Sequence, residues 1–206
     1  VSRDWSSDVC SSDLVVFSVD DLVVNRYNLL GNGTFEADMG GWSEWQAGLS
    51  RLSISHDGDW SARVRYACPT GTSCTDYAID NWPGDITNPQ PGDTYTATVW
   101  VRGDTVDGKP VELGIRERGG PNPDQATMSG DVPVSASGWK QISVTRTIAS
   151  PGRTFIDVFV IQHGASPGDA ILVDDFTVTP ALTNASLQGG SFQGIVVAAG
   201  DIACAP

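Results

Sequence analysis

Residues 94–101 read TYTATVWV, and residues 154–161 read TFIDVFVI. In both runs apolar and polar side chains alternate with a period of two, and β-branched and aromatic residues dominate, which is typical of half-buried β-strands. The same pattern recurs in residues 51–55, 63–66, 111–116, 141–147 and 170–179. Turn-forming Gly, Pro, Asn and Asp separate the runs, and no window shows a helical stripe. The sequence therefore predicts an all-β protein of the β-sandwich or jelly-roll type.

Composition excludes several classes of partner. The 206 residues contain 12 basic and 25 acidic side chains, giving a formal net charge of −13. Nucleic acids and anionic membranes attract basic surfaces, so we expect neither as a partner. The longest apolar stretch lies around residues 195–199, and it is far shorter than the roughly 20 residues that span a bilayer.

The first residues differ in character from the rest. Residues 4–14 read DWSSDVCSSDL, a string that resembles the in-frame translation of a sequencing-library adapter. They lack the apolar core of a signal peptide. We therefore interpret residues 1–14 as an artefact and exclude them from the functional argument.

A short internal echo suggests where the domains begin and end. Residues 17–24 read FSVDDLVV and residues 171–178 read ILVDDFTV. The interpretation is that residues 15–26 are the last strand of a truncated preceding module and residues 27–181 are one complete module. Residues 182–193 then form a Ser-, Asn- and Gly-rich linker, and residues 194–206 are the first strand of a truncated downstream domain.

Five segments in order carry a family resemblance: NLLGNGTFEADMGGW at 28–42, HDGDWSARV at 56–64, TYTATVWVR at 94–102, GWK at 138–140 and VDDF at 173–176. Together they resemble carbohydrate-binding modules of the family 4/9/22 type, the jelly rolls attached to secreted glycan-degrading enzymes. The resemblance implies a galactose-binding-domain-like sandwich that acts as a monomeric, extracellular module with a polysaccharide or oligosaccharide as its partner.

The resemblance also implies a structural Ca²⁺ ion, held by Glu36, Asp174 and main-chain carbonyls. Alternation in residues 172–178 places Asp174 on the same face as Phe176 and Val178. A carboxylate on a core-facing side needs a partner or a metal. The alternative is that Asp174 only accepts backbone N–H hydrogen bonds.

Exposed aromatic side chains are the candidates for sugar contact, because pyranose rings stack on them. Trp42 and Trp139 sit at positions that look structural. We select Trp45, Trp82 and Trp100, with Tyr77 and Arg116 beside them. If the face of Trp100 is concave, Trp100 and Arg116 line one cleft.

Cys68 and Cys74 flank a five-residue loop. In an extracellular module this spacing favours a local disulfide, with a zinc site as the rival. The two histidines, His56 and His163, are isolated in sequence and are interpreted as ordinary surface or turn residues.

The last segment reads GIVVAAGDIACAP at 194–206. It resembles the opening strand of secreted calcineurin-like metallophosphoesterases, in which Asp201 would be a metal ligand. Ala203 stands where that family has a His, and any opening strand of an α/β domain is the alternative. We expect at most one ligand of that truncated site here.

Three functions remain, and they are ranked in this order. The first is a non-catalytic carbohydrate-binding module that targets a secreted multidomain hydrolase to polysaccharide. The second is a calcium-stapled spacer or adhesion domain without sugar affinity, attached to a secreted metallophosphoesterase. The third is a glycosidase, but the glutamates lie in no recognisable acid/base motif, so we expect no catalytic centre in this fragment.

Overall fold

A computed structural model describes residues 28–181 of the chain. The predicted segments 1–14, 15–26, 182–193 and 194–206, with Asp201, lie outside the described residues. Within residues 28–181 the regular structure consists of twelve strands. In chain order they are β1 (Ser43–Trp45), β2 (Ala47–Leu52), β3 (Ser61–Tyr66), β4 (Asp76–Asp80), β5 (Ile86–Thr87), β6 (Thr94–Gly103), β7 (Lys109–Arg118), β8 (Gln125–Met128), β9 (Val132–Val134), β10 (Lys140–Thr147), β11 (Phe155–His163) and β12 (Ala170–Pro180). No helix in this part of the chain has the length and apolarity needed to cross a membrane.

The strands form two antiparallel sheets. The first sheet has the order β1-β4-β11-β7-β8, with β5 paired to β11 and β9 paired to β7. The second sheet has the order β10-β6-β12-β3-β2. The predicted all-β sandwich is confirmed. One predicted run is wrong in part, because β2 ends at Leu52 and residues 53–60 form a turn rather than a strand.

The core lies between the sheets and follows the predicted period of two. On β6, Tyr95, Ala97, Val99 and Val101 are buried, and on β11 so are Ile156, Val158 and Val160. Trp42 packs at 5.2 Å from Phe35 and 5.0 Å from Phe176, measured between ring centroids. Trp42 is thus a structural residue, as expected. Removal of this apolar surface from water is the main stabilising contribution to the fold.

One end of the sandwich contains buried charges. Glu117 on β7 is fully buried and pairs with Arg153 at 2.9 Å and Arg146 at 2.6 Å. Burial alone would raise the pKa of Glu117, but the hydrogen bonds from the Ala149 N–H and the two arginines lower it overall. Arg153 also donates to the carbonyls of residues 119, 122 and 123. The cluster therefore fixes the β7–β8 loop.

Strand β12 contains an irregularity that overturns one expectation. Its register shifts between Asp174 and Thr177, and Asp175 has a left-handed φ of 47°. Val173 and Phe176 consequently both point into the core. Asp174 instead shares the outer face with its cross-strand neighbour Trp100. The expectation that Asp174, Phe176 and Val178 lie on one face is wrong because this bulge inserts an extra residue.

Candidate functional site

The outer face of the first sheet forms a groove of about 330 Å³. It is built by alternate residues of β4, β7 and β11, whose other side chains fill the core. Antiparallel register sets Asp157 beside Arg116, and Phe159 beside both Gly114 and Asp80. The lining residues are Trp45, Ala78, Asp80, Arg116, Arg118, Phe159 and Ile161.

An ion pair forms the floor of the groove. Arg116 donates from Nε to Asp157 Oδ1 at 3.1 Å and from Nη2 to Oδ2 at 2.5 Å. Asp157 is fully buried, and the hydrogen bonds to it raise the pKa of Arg116. The Arg116 guanidinium also lies 4.8 Å above the Phe159 ring. These contacts hold a planar donor group rigidly at the base of the groove.

Phe159 can lie flat because the neighbouring strand provides space for it. The residue beside it, Gly114, has no side chain, and a Cβ atom there would lie 2.2 Å from the ring. Any larger residue at position 114 would therefore displace Phe159 into the groove.

Trp82 lies beside the groove, next to the lining residue Arg118. Its side chain is 42% exposed. Its ring contacts Phe155 edge-on at 5.1 Å, and the Arg118 guanidinium lies 4.3 Å above it. Asn81, which is buried, anchors the loop by donating to the Gly41 carbonyl at 3.0 Å. An exposed indole in such a fixed position is suited to stacking against a ligand.

Trp45 marks another corner of the same face. It is 47% exposed and pairs with Ala78 across β1 and β4. Phe155, which supports Trp82, instead pairs with Arg118. Trp45 thus lines the groove, whereas Trp82 lies beside it and contacts the groove residue Arg118.

Asp80 is the titratable group at the centre of the groove. Burial, reinforced by the negative charge of Asp157, raises the pKa of Asp80 to about 6, although Arg116 and Arg118 oppose the shift. Its Oδ1 atom is buried and has no hydrogen-bond partner among residues 28–181. A polar atom in this state gains stability from a ligand that supplies a hydrogen bond.

Of the five predicted sugar-contact residues, Trp45 and Arg116 line the groove, and Trp82 lies beside it against Arg118. Trp100 lies elsewhere, on the outer face of the second sheet, where it stacks on His56 at 3.8 Å between ring centroids. The expectation that Trp100 and Arg116 line one cleft is wrong, because β6 and β7 belong to different sheets.

Tyr77 also takes no part in the groove. It is fully buried, and its ring packs edge-on against Tyr66 at 6.1 Å. On β4 the groove receives Ala78 and Asp80, so Tyr77 points into the core. A sugar cannot reach it, and this prediction is wrong.

Sequence reasoning missed Asp80, Arg118 and Phe159. A signal for two of them exists. Arg118 lies two residues after Arg116 on β7, so the two share a face of the strand. Phe159 likewise shares a face with Asp157, the charged residue within the apolar run of β11. Asp80 carries no comparable signal, because only the pairing of β4 with β11 places it in the groove.

The two predicted calcium ligands, Glu36 and Asp174, both contact the turn at residues 56–60. Glu36 Oε1 accepts hydrogen bonds from the N–H groups of Asp59 and Trp60, both at 3.0 Å. Asp174 Oδ2 accepts from the His56 N–H at 2.7 Å. Both carboxylates thus hold residues 56–60 by accepting backbone N–H hydrogen bonds. For Asp174, this is the role predicted from the sequence as the alternative to calcium binding.

A different group of side chains could hold a metal ion. Glu112, Asp131 and His163 offer ligand atoms that all lie within 4.8 Å of one another. The sequence predicts His163 to be an isolated surface or turn residue, whereas the structure places it within this group. Burial alone would lower the pKa of His163, but its hydrogen bonds to Asp76 and Glu112 raise it overall.

Cys68 and Cys74 form a disulfide. The predicted pairing is confirmed, and the rival zinc site is excluded.

Comparison with known proteins identifies the family. The family model described as "Carbohydrate binding domain" (CBM_4_9) matches residues 27–166. The chain belongs to this family. The predicted resemblance and the predicted carbohydrate-binding function are thereby confirmed. No curated protein matches the chain.

Solved structures with the same fold include several carbohydrate-binding modules. A Clostridium thermocellum xylanase 10B structure of CBM22-1 and GH10 modules, complexed with xylohexaose, has 16% identity and a TM-score of 0.58. The match covers 74% of this chain but only 28% of that xylanase chain. The CBM22-1 xylan-binding domain of Paenibacillus barcinonensis Xyn10C has 12% identity and a TM-score of 0.57, with coverage of 77% and 97%. A xylan-binding domain from CBM22 has 18% identity and a TM-score of 0.56, with coverage of 73% and 94%. At these identities the likeness shows the fold.

Proposed function

We propose that the groove of the first sheet binds a neutral polysaccharide of the xylan type. The observation that carries this proposal is the exposed indole of Trp45 in a groove whose arginines are already compensated, with the exposed indole of Trp82 beside it against Arg118. Arg116 pairs with Asp157, and Arg118 pairs with Asp124 at 2.8 Å. Because neither arginine is left without an acid, the groove favours an uncharged chain over an acidic one. Structural neighbours that bind xylan or xylohexaose support this choice.

Affinity electrophoresis tests this proposal. The wild-type protein is run through gels that contain xylan, β-glucan or cellulose. At least the xylan gel should retard it. Trp45→Ala and Trp82→Ala should each lose most of the retardation, because each removes an exposed aromatic surface on which a sugar ring can stack. Ile54→Ala is the matched control, since Ile54 is 40% exposed outside the groove. Equal mobility of all proteins on every polymer would instead favour the spacer function.

We also propose that the module belongs to a secreted hydrolase with several domains. The disulfide favours an oxidising compartment, and one structural neighbour combines its module with a GH10 module. Sequencing the gene on both sides of this segment tests the proposal. A signal peptide together with a hydrolase domain is the expected result, and a cytosolic protein without either would contradict it.

We further propose that Glu36 and Asp174 hold the Ca²⁺ ion that the family resemblance implies. Asp174 is fully buried and pairs with no basic side chain among the described residues. Glu36 Oε2 accepts no hydrogen bond within the same residues. A buried carboxylate without a cationic partner fits a hard divalent cation, which prefers oxygen ligands. The ion would link the first turn of the module to β12.

Thermal unfolding tests the calcium proposal. After EGTA treatment, added Ca²⁺ should raise the melting temperature, with a stabilisation of about 2.7 kcal/mol at 100 times Kd. Glu36→Gln and Asp174→Asn should lose this response, while Asp107→Asn, a change at an exposed acid elsewhere, should keep it. A wild-type melting curve that neither EGTA nor Ca²⁺ moves would refute the proposal.

A further inference from the structure

Beyond the groove, three strands of the first sheet and the loop before β9 place one histidine among three carboxylates. Asp76 of β4 is the register partner of His163 at the end of β11. Glu112 of β7 faces the same side, because its register partner on β11 is Ile161, which lines the groove. Asp131 directly precedes β9, whose Val132 pairs with Val111. The four side chains therefore form a row across the sheet, beyond the end of the groove.

The distances within the row suit a small metal ion. His163 Nε2 lies 3.1 Å from Glu112 Oε2, and one ligand atom from each of Glu112, Asp131 and His163 lies within 4.8 Å of the other two. Ligands at about 2.0–2.1 Å from a tetrahedral zinc ion are about 3.4 Å apart. Small side-chain rotations would bring the three atoms to that spacing.

The other nitrogen of His163 is already engaged. His163 Nδ1 lies 2.8 Å from Asp76 Oδ1, and Thr75 Oγ1 donates to Asp76 Oδ2 at 3.0 Å. A carboxylate on Nδ1 keeps the proton there, so that Nε2 is the nitrogen that can bind a metal ion once the ion displaces the proton shared with Glu112. This is the carboxylate–histidine–metal arrangement that orients zinc ligands. Asp76 is thus a positioning residue.

We propose that Glu112, Asp131 and His163 form a zinc-type transition-metal site, with Asp76 orienting the histidine. An imidazole ligand favours Zn²⁺ and neighbouring transition metals over Ca²⁺, which prefers oxygen ligands alone. Three protein ligands leave a fourth position for water. The site is distinct from the groove and from the pair Glu36 and Asp174.

Isothermal titration of the full chain with Zn²⁺ tests this site after removal of metals with a chelator. The wild-type protein should bind one Zn²⁺ ion. Asp131→Asn and His163→Gln should lose this binding, and Asp76→Asn should weaken it roughly 10- to 100-fold. Asp131 is exposed, so its substitution leaves the core intact. Asp107→Asn, the same change at another exposed aspartate, should bind Zn²⁺ like the wild type.

Two readouts keep the result unambiguous. Co²⁺ in place of Zn²⁺ should give the visible absorption of a tetrahedral site, and excess Ca²⁺ should not displace it. Glu36→Gln should retain the Zn²⁺ site, which separates this proposal from the calcium proposal. A wild-type protein that binds no Zn²⁺, or Asp131→Asn binding it with wild-type affinity, would overturn the assignment.

Discussion

At the scale of single residues, Asp157 organises the groove. Its carboxylate is fully buried on the groove side of the sheet, accepts two strong hydrogen bonds from Arg116 and lies 3.7 Å from Arg118 Nε. The arginines lie in turn against Phe159 and Trp82. The positions of two cations and two aromatic rings therefore depend on one acid.

Replacing Asp157 by Asn should remove the charge that both arginines contact. We expect a loss of stability on the order of 1–3 kcal/mol, because a partly buried charged hydrogen-bond network is broken. Xylan affinity should fall as well, since Arg116 loses its fixed position. Urea unfolding and affinity electrophoresis measure the two effects. Asp124→Asn, at the exposed partner of Arg118, is the control and should cost less than about 1 kcal/mol. Equal effects of the two substitutions would contradict this role of Asp157.

The pKa of Asp80 links sugar binding to pH. Burial and then the Asp157 charge raise it from 3.8 to about 6. A sugar hydroxyl that donates to the ionised carboxylate lowers this pKa, so xylan affinity should rise with pH and level off above about 6. In the sugar-free protein the folded state holds this proton more tightly than the unfolded state. The contribution of Asp80 to stability therefore falls as pH rises from about 4 to about 6.

Isothermal titration with xylohexaose across this pH range checks the expectation. Asp80→Asn should bind with an affinity that no longer changes with pH. If wild-type and Asp80→Asn proteins gave parallel pH profiles, another group would be responsible.

At the scale of elements, the β7–β8 connection joins the core to the groove. Glu117 points into the core and Arg118, the next residue, points into the groove. Arg153 binds Glu117 on one side and three loop carbonyls on the other. The loop in turn carries Asp124, which holds Arg118. The buried ion cluster thus fixes the position of Arg118 in the groove.

Arg153→Met should therefore affect both stability and binding. Leaving Glu117 without one of its buried partners should cost about 3–5 kcal/mol of unfolding free energy. Sugar affinity should also fall at temperatures where the variant is folded, because the loop loses its anchor. Circular dichroism melting and electrophoresis on xylan give the two readouts. Arg65→Met, at an exposed position on β3, should change neither, and a stable Arg153→Met protein would count against the anchoring role.

At the scale of the whole molecule, the two outer faces differ. The first sheet carries the groove, whereas the second sheet presents paired threonine hydroxyls, such as Thr94 with Thr147 at 2.8 Å and Thr96 with Thr145 at 2.9 Å. Trp100 is the aromatic residue of that second face on β6, and His56 covers it. The first face thus carries a groove with an exposed indole, whereas threonine hydroxyls pair with one another on the second.

The sequence predicts the features that depend on local signals and misses those that depend on which strands become neighbours. Alternation within each run predicts the strands and the sandwich, and the spacing of Cys68 and Cys74 predicts the disulfide, because both signals are local. The order of the strands in each sheet is not determined by any local signal. Trp100 and Arg116 show the same alternation on β6 and β7, yet strand order sends them to opposite faces. The row around His163 was missed for the same reason, since its members come from four separate segments.

The balance of charge in the groove has a consequence for how binding there depends on dissolved salt. Arg116 and Arg118 face Asp157 and Asp124, and a neutral polysaccharide adds no charge of its own. Dissolved ions weaken attraction between opposite charges, but here little such attraction holds the ligand. Binding of a neutral polysaccharide in the groove should therefore change little between low and high salt concentration, despite the strongly acidic chain around it.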